Sequence, residues 1–261
     1  MEPDERSYER NEEVCLEKNI FFKEKLNTKE AIVAGEQLEK LQIEAKGLEK
    51  LDRRFLREMP QHIAEIYENY PELAGYITSV KSANLPKGVL ARTGPYQNEL
   101  GEYAGAEIQF SKGFFGKGNY ELKIVDMESD LNWRNEKWLA GRGTKGVITH
   151  EMAHAMALKI NAEDTGLRLG ECDQDKFEGL QKRYQHNSKI VSLCNNALKD
   201  LGISPRDIGR ELSTYASSDF GEQFAEAISQ YETTNHPGRL STEIHDRYVA
   251  LIKERRLENA S

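Results

Sequence analysis

The run HEMAH, from His150 to His154, constrains the fold of this chain more than any other feature of the sequence. On an α-helix, side chains four residues apart lie on one face, with Cβ atoms about 6 Å apart, so two imidazoles can reach one ion. The residues around the run are mostly apolar, and no proline interrupts them. They predict a buried helix from Thr144 onward, with Thr144 as its N-cap.

The two histidines of this helix predict a metal site. Imidazole and carboxylate ligands in an open tetrahedral site suit zinc, so we expect one Zn²⁺ per chain, held by His150 and His154. Glu151 would project beside the ion, where it can take a proton from a metal-bound water and pass it to a leaving amine. The alternative is a core helix whose two histidines are satisfied by other side chains, because the motif also arises by chance.

A catalytic zinc usually has three protein ligands, and the third must come from elsewhere in the chain. One protease class supplies a histidine six residues after the motif, where this chain has Ile160. A glutamate from a later helix is the natural alternative, and Glu222 and Glu226 offer two carboxylates at i and i+4 spacing. Asp219 and Glu222 are also spaced as a capping box, so the helix start competes for Glu222. We expect the metal to win if the two helices cross.

The segment YASSDFGEQFAE, from Tyr215 to Glu226, strengthens this prediction when it is taken together with HEMAH. The two segments resemble the gluzincin-type domain at the C-terminus of anthrax lethal factor and the related zincin-like proteins often encoded near phage head genes. In that family a tyrosine lies seven residues before the glutamate ligand, which is the spacing between Tyr215 and Glu222. The resemblance covers the chain from about Leu90 to Tyr231.

The resemblance implies a zinc-dependent metalloendopeptidase. Tyr215 would donate a hydrogen bond to the oxyanion of a tetrahedral intermediate. Glu226 would orient a ligand histidine by hydrogen bonding to it. The implied zinc ligands are His150, His154 and Glu222. The implied general base is Glu151.

Charge and composition restrict the partners of the chain. The net charge is −8, the pI is near 5.5 and no basic run stands out, so a nucleic-acid partner is not expected. No stretch is apolar over the length of a membrane span, and the first residues are too charged for a secretory signal. Three widely spaced cysteines are typical of reduced thiols. Together with the resemblance, these features predict a location in the cytoplasm of a bacterial host or in a phage particle. They also predict that the partner is a peptide or protein substrate.

We predict a mainly helical α+β fold in two parts, an N-terminal helical region over residues 1–80 and a zincin-like domain over residues 81–261. In the first part, apolar residues recur at helical spacing after Thr28, which could cap a helix. This stripe comprises Leu38, Leu41, Ala45, Leu48 and Phe55. Residues 60–80 predict a further helix, broken before Pro71. These N-terminal helices could pack on the catalytic domain or bind a protein partner.

In the second part, alternating runs before HEMAH predict a small antiparallel sheet. Ala106–Ser111 and Tyr120–Asp126 are predicted strands, joined by a glycine-rich turn. The first could be an edge strand that binds an extended peptide through its backbone, although a structural hairpin is equally compatible. The run GRGTKG at residues 141–146 matches a dinucleotide-binding pattern, but it follows no predicted strand, so it indicates only a flexible approach to the next helix.

Two other functions are compatible with the same motif. The zincin fold could be retained as a catalytically silent structural or interaction module of a phage or prophage particle. The chain could also be a toxin-like effector protease that attacks a host protein. An open metal position beside a groove would favour a peptidase, whereas a blocked position would favour a scaffold.

Overall fold

The computed structural model describes residues 28–118, 120, 139–183 and 187–260 of the chain. Two predictions lie partly outside these ranges, namely the start of the N-terminal helical region and residues 121–126 of the second predicted strand. Within the described ranges, no helix has the length and apolar character needed to cross a membrane.

Among the described residues helices dominate and four strands form one sheet, so the predicted mainly helical α+β class is confirmed. The helices are α1 (Lys29–Lys40), α2 (Arg53–Asn69), α3 (Lys112–Phe115), α4 (Gly143–Asp164), α5 (Gln174–Arg183), α6 (Ser188–Leu201), α7 (Ile208–Glu211), α8 (Phe220–Thr233) and α9 (Arg239–Ala260). The strands are β1 (Glu44–Lys46), β2 (Ile77–Ala83), β3 (Ala91–Gln97) and β4 (Tyr103–Ser111). Short 3₁₀ turns occur at Leu48–Lys50, Pro71–Leu73, Pro205–Asp207 and Tyr215–Ser217.

The sheet is mixed, with the strand order β1-β2-β4-β3. The prediction of an antiparallel sheet is therefore wrong for most of it, because β1, β2 and β4 are parallel and only β3 is antiparallel to its neighbour. The long connection that parallel strands require is supplied between β1 and β2 by α2. The prediction that Ala106–Ser111 lies at an edge is also wrong. That segment belongs to β4, which pairs on both sides, whereas β1 and β3 are the edge strands.

Four of the five residues of the N-terminal apolar stripe are buried and Leu41 is partly buried, but the stripe does not form one helix. The helix begins as predicted, because the Thr28 hydroxyl accepts a hydrogen bond from the Ala31 N–H at 3.2 Å. The helix ends at Lys40. Beyond it, Gln42 and Gly47 adopt φ values of 62° and 68°, through which a right-handed helix cannot continue. The stripe is divided among Leu38 in α1, Ala45 in β1, Leu48 in a 3₁₀ turn and Phe55 in α2.

Residues 60–80 form a helix only as far as Asn69, the end of α2. Beyond the following 3₁₀ turn the chain enters β2, so the helical prediction is wrong for the last residues of that range. β2 also crosses the boundary suggested between residues 80 and 81. The N-terminal elements and the sheet consequently share one buried apolar cluster, which extends from α1 to α9.

The helix α4 carries HEMAH through the centre of this fold, in contact with α2, β3 and β4, and α8 packs along it. Thr144 is not its N-cap, because the helix begins one residue earlier and the Thr144 hydroxyl contacts that of Tyr120. Sixteen of its residues are buried, which is why the helix has no clearly separate polar and apolar faces.

The glycine run at the start of α4, residues 141–146, allows the chain to approach α8 closely. A Cβ atom on Gly141 would lie 1.8 Å from the Ser229 Oγ, and one on Gly146 would lie 2.6 Å from the Gly141 carbonyl carbon. Ser229 donates a hydrogen bond to the Gly146 carbonyl at 2.7 Å. The glycines therefore allow close packing at the start of the helix, whereas the sequence suggested only a flexible approach to it.

Candidate metal centre

Two helices bring the three predicted ligands together. His150 and His154 lie one turn apart on α4, and Glu222 lies in the first turn of α8. The His150 Nε2, His154 Nε2 and Glu222 Oε2 atoms form a triangle with sides of 3.0, 3.0 and 3.3 Å. Their side chains are 9%, 13% and 12% exposed, so the triangle is shielded from bulk water without being sealed.

This triangle fits a tetrahedral zinc ion. With zinc–nitrogen and zinc–oxygen bonds of about 2.0–2.1 Å, two ligand atoms of a tetrahedron lie roughly 3.3–3.4 Å apart, close to the observed separations. Glu222 Oε2 is buried and faces the Nε2 atoms of both histidines, at 3.0 and 3.3 Å. A cation shared by the three atoms would satisfy it. The donor set, two imidazoles and one carboxylate, is one that zinc prefers.

The charges around the triangle favour a cation. Burial alone would lower the pKa of His150, but Glu222 and Glu226 outweigh it and raise that pKa well above the ordinary value. Burial alone would raise the pKa of Glu222, but His150 and His154 hold it well below the ordinary value. The protein thus stabilises one extra positive charge at this point, which a proton or a metal ion can supply.

Glu226 fixes the orientation of the first histidine. Its Oε1 lies 2.7 Å from the His150 Nδ1, and its side chain is only 1% exposed. The other oxygen, Oε2, accepts hydrogen bonds from the Ser213 hydroxyl at 2.8 Å and from the Ala140 N–H. When the Nδ1 proton of His150 points to Glu226, the Nε2 lone pair is left to face the triangle.

Glu222 serves the helix start and the triangle with different atoms. Its backbone N–H donates to the Asp219 side chain at 3.0 Å, and Asp219 is the N-cap of α8. Its carboxylate instead points at the histidines of α4. The competition expected between capping and metal binding therefore does not arise.

Glu151 lies next to His150 and is held by a residue of the edge strand. The Thr93 Oγ1 lies 2.7 Å from the Glu151 Oε2 and 3.0 Å from the Glu151 carbonyl oxygen. Thr93 is 3% exposed and Glu151 is 5% exposed, so this contact is shielded from solvent. One carboxylate oxygen of Glu151 is thereby anchored, and among the described residues no hydrogen bond restrains the other.

Tyr215 flanks the centre from the 3₁₀ turn that precedes α8. Its ring centroid lies 5.8 Å from that of His150, with 31° between the ring planes, and the residue is 39% exposed. Burial raises the pKa of Tyr215, and the nearby Glu222 and Glu151 raise it further. The phenol therefore keeps its proton at neutral pH and can donate a hydrogen bond. Its exposure places it where the centre reaches the surface.

Three groups of this centre were not identified from the sequence. They are the Thr93 hydroxyl, the Ser213 hydroxyl and the Ala140 N–H. Thr93 is 58 positions from Glu151, and no local pattern reports so distant a contact. Only Ala140 has a nearby signal, the glycine that follows it and allows the chain to approach α8.

A cavity of about 700 Å³ lies apart from the metal centre, at the C-terminal end of α4. It is open to solvent and has mixed charge, and the paired hydroxyls of Tyr76 and Tyr103 contribute to its wall. None of the metal-centre residues lines it. The triangle, where the polar groups converge, is therefore the candidate site, and not this cavity.

Comparison of the chain with protein-family models, with curated proteins and with solved structures finds no match. The functional assignment accordingly depends on the geometry of the residues themselves.

Proposed function

We propose that this protein is a zinc-dependent metallopeptidase of the gluzincin type. The observation that supports the proposal most strongly is the convergence of His150 Nε2, His154 Nε2 and the buried Glu222 Oε2, which lie within 4.8 Å of one another. Glu151, the candidate base, lies beside the same triangle. A helix that merely buries two histidines has no need of the Glu222 carboxylate, because Glu226 already bonds His150.

The chain would divide the chemistry among six side chains, three of them zinc ligands. A zinc ion held by the three ligands would supply Lewis acidity, which activates water and polarises a peptide carbonyl. Glu151 would accept the proton of the attacking water and deliver it to the leaving amine. Tyr215, which remains protonated, would donate a hydrogen bond to the oxygen on which negative charge develops. Glu226 would keep His150 in the tautomer that binds metal.

An extended peptide is the substrate class that best fits the edge strand. β3 lies against α4, and within the described ranges no strand pairs with its outer edge. A peptide can add to such an edge through main-chain hydrogen bonds, largely independent of its side chains. The substrate strand would then lie next to Glu151, because Thr93 of β3 contacts that residue.

Elemental analysis of protein purified without chelators tests the metal site. We expect about one zinc per chain in the wild type, loss of zinc in His150→Ala and weakened binding in Glu222→Gln. Gln230→Ala is a matched control, because Gln230 is a buried polar residue of α8 whose amide oxygen bonds the Gly238 N–H instead. No zinc in the wild type would leave HEMAH as a structural helix and contradict the proposal.

Peptide hydrolysis tests the enzymatic part separately. Against a mixture of unstructured peptides, the wild type should cleave and Glu151→Gln should not, while the variant keeps its zinc. General acid–base catalysis contributes roughly 10²–10⁴-fold, so the loss should be at least of that order. Full activity of Glu151→Gln would exclude this mechanism. Bound zinc without hydrolysis in the wild type would instead favour a zincin fold retained as a scaffold.

A further inference from the structure

We propose that Thr93 is a positioning residue that connects peptide binding on β3 to proton transfer by Glu151. The inference depends on the proposed peptidase function and extends it. It begins from one contact between two elements, the hydroxyl of an edge-strand residue and the carboxylate that follows the first metal ligand.

The Thr93 hydroxyl restricts the orientation of the Glu151 side chain. At 2.7 Å from Oε2 it donates a short, charge-assisted hydrogen bond, and the two side chains share a buried environment. A glutamate side chain has three rotatable bonds, so an unrestrained carboxylate would sample several positions. Anchoring Oε2 leaves the second carboxylate oxygen as the one available for proton transfer.

The backbone of Thr93 faces the edge of β3 with which none of the described strands pairs. The Ser111 N–H donates to the Leu90 carbonyl at 2.9 Å, which makes these two residues a hydrogen-bonded pair of the antiparallel ladder. Such pairs alternate along the strand, so Arg92 and Gly94 also bond to β4. The N–H and C=O of Thr93, between them, point away from β4. Pro95, which lacks an N–H, has the same outward orientation and so costs the ladder no bond.

One residue therefore offers its backbone to a substrate and its side chain to the catalytic carboxylate. A peptide paired with β3 at Thr93 would hold the strand in register next to α4. The hydroxyl would transmit that order to Glu151 over a single hydrogen bond. Substrates that pair at this position should consequently be cleaved with a better-oriented base than short substrates that do not reach it.

Thr93→Val and Thr93→Ser separate the hydroxyl from the backbone. Valine keeps the shape and the N–H but removes the donor, and serine restores the donor. We expect Thr93→Val to lower kcat by roughly 10- to 100-fold with little change in KM or zinc content, and Thr93→Ser to recover most of the activity. Thr78→Val is a matched control, because it removes a hydroxyl that bonds Ala104 in the same sheet. Equal kcat values for the valine and serine variants would overturn the inference.

A double-mutant cycle on the metal-free protein provides a readout that does not need turnover. Thr93→Val, Glu151→Ala and the double variant are unfolded thermally in the presence of a chelator. Because the hydroxyl and the carboxylate interact, we expect the decrease in Tm of the double variant to be smaller than the sum of the two single decreases. Additive decreases would overturn the positioning role. A zinc-loaded wild type that cleaves no peptide would instead refute the peptidase function, even where the cycle shows coupling.

Discussion

Glu226 is the most enclosed carboxylate of the metal centre, and its three contacts make it sensitive to substitution. Glu226→Ala would leave the Ser213 hydroxyl and the Ala140 N–H without their acceptor and would free the His150 ring to rotate. Loss of such a partner typically lowers metal affinity by about 10- to 100-fold. A competition titration with a chromophoric chelator measures this directly.

The control for Glu226→Ala lies on the same helix. Glu232→Ala removes another carboxylate of α8, one that bonds Tyr70 and Asn69 away from the metal centre. It should change stability without changing zinc affinity. Equal zinc affinity in the two variants would show that Glu226 does not orient His150.

The raised pKa of His150 has a consequence for stability. In the metal-free protein, the proton on His150 stabilises the fold fully below the pKa of an unfolded histidine, about 6.5, and this contribution is lost as the pH rises through the raised folded value. Zinc competes with that proton for the same nitrogen. We therefore expect the difference in Tm between zinc-loaded and metal-free protein to shrink as the pH falls from about 8 to about 6. A difference independent of pH would contradict this competition.

At the residue scale, the sequence predicts the parts of the centre that depend on local spacing. The i and i+4 histidines follow from helix geometry, and the structure brings Glu222 to them. The anchoring of Glu151 by Thr93 could not be predicted, because it depends on which strand lies against α4. The charge shared among His150, Glu222 and Glu226 likewise arises only when α8 packs along α4.

At the element scale, the segment before α4 packs closely against the first turns of α4 and against α8, and this packing depends on the absence of side chains. A methyl group at position 146 would meet the Gly141 backbone at 2.6 Å, and backbone cannot move aside as a flexible side chain can. Gly146→Ala should therefore destabilise the protein by about 1–3 kcal/mol, despite the better helix propensity of alanine. It should also weaken zinc binding, because the Ala140 N–H that holds Glu226 would shift. Denaturant unfolding measures the first effect.

Gly179→Ala is the matched control for that substitution. Gly179 also lies within a helix, α5, but a methyl group there would meet nothing within 4 Å. Helix propensity alone then applies, and the variant should gain up to about 1 kcal/mol. If both variants were stabilised, the close approach of the two segments would not be a constraint.

The elements themselves were predictable where their pattern is local. The Thr28 cap and the strand at Ala106–Ser111 are confirmed, because each depends on neighbouring residues. The apolar stripe of the first part gave the buried residues correctly but joined them into one helix. Burial alone does not report the breaks at Gln42 and Gly47, nor the parallel pairing of β1 with β2, which only the tertiary fold determines.

At the scale of the whole molecule, the first described helix and the metal centre belong to one core. α1 packs on α2, and α2 packs on α4. Leu38 of α1 is 0% exposed, although it is far from the centre in sequence. A chain whose two parts fold independently would tolerate damage at Leu38 without effect on the metal, whereas one shared core would not.

Leu38→Ala distinguishes these cases. Removing a fully buried leucine costs about 2–5 kcal/mol, and in a cooperative unit that loss applies to every element. We expect zinc release and loss of helical signal to occur in one transition, shifted to lower temperature in the variant. Val33→Ala on the same helix, at a residue 44% exposed, should remain within about 0.5 kcal/mol of the wild type. If zinc release kept its wild-type midpoint while the helical signal split into two steps, the N-terminal helix would be a separate module, free to serve a partner without disturbing the metal.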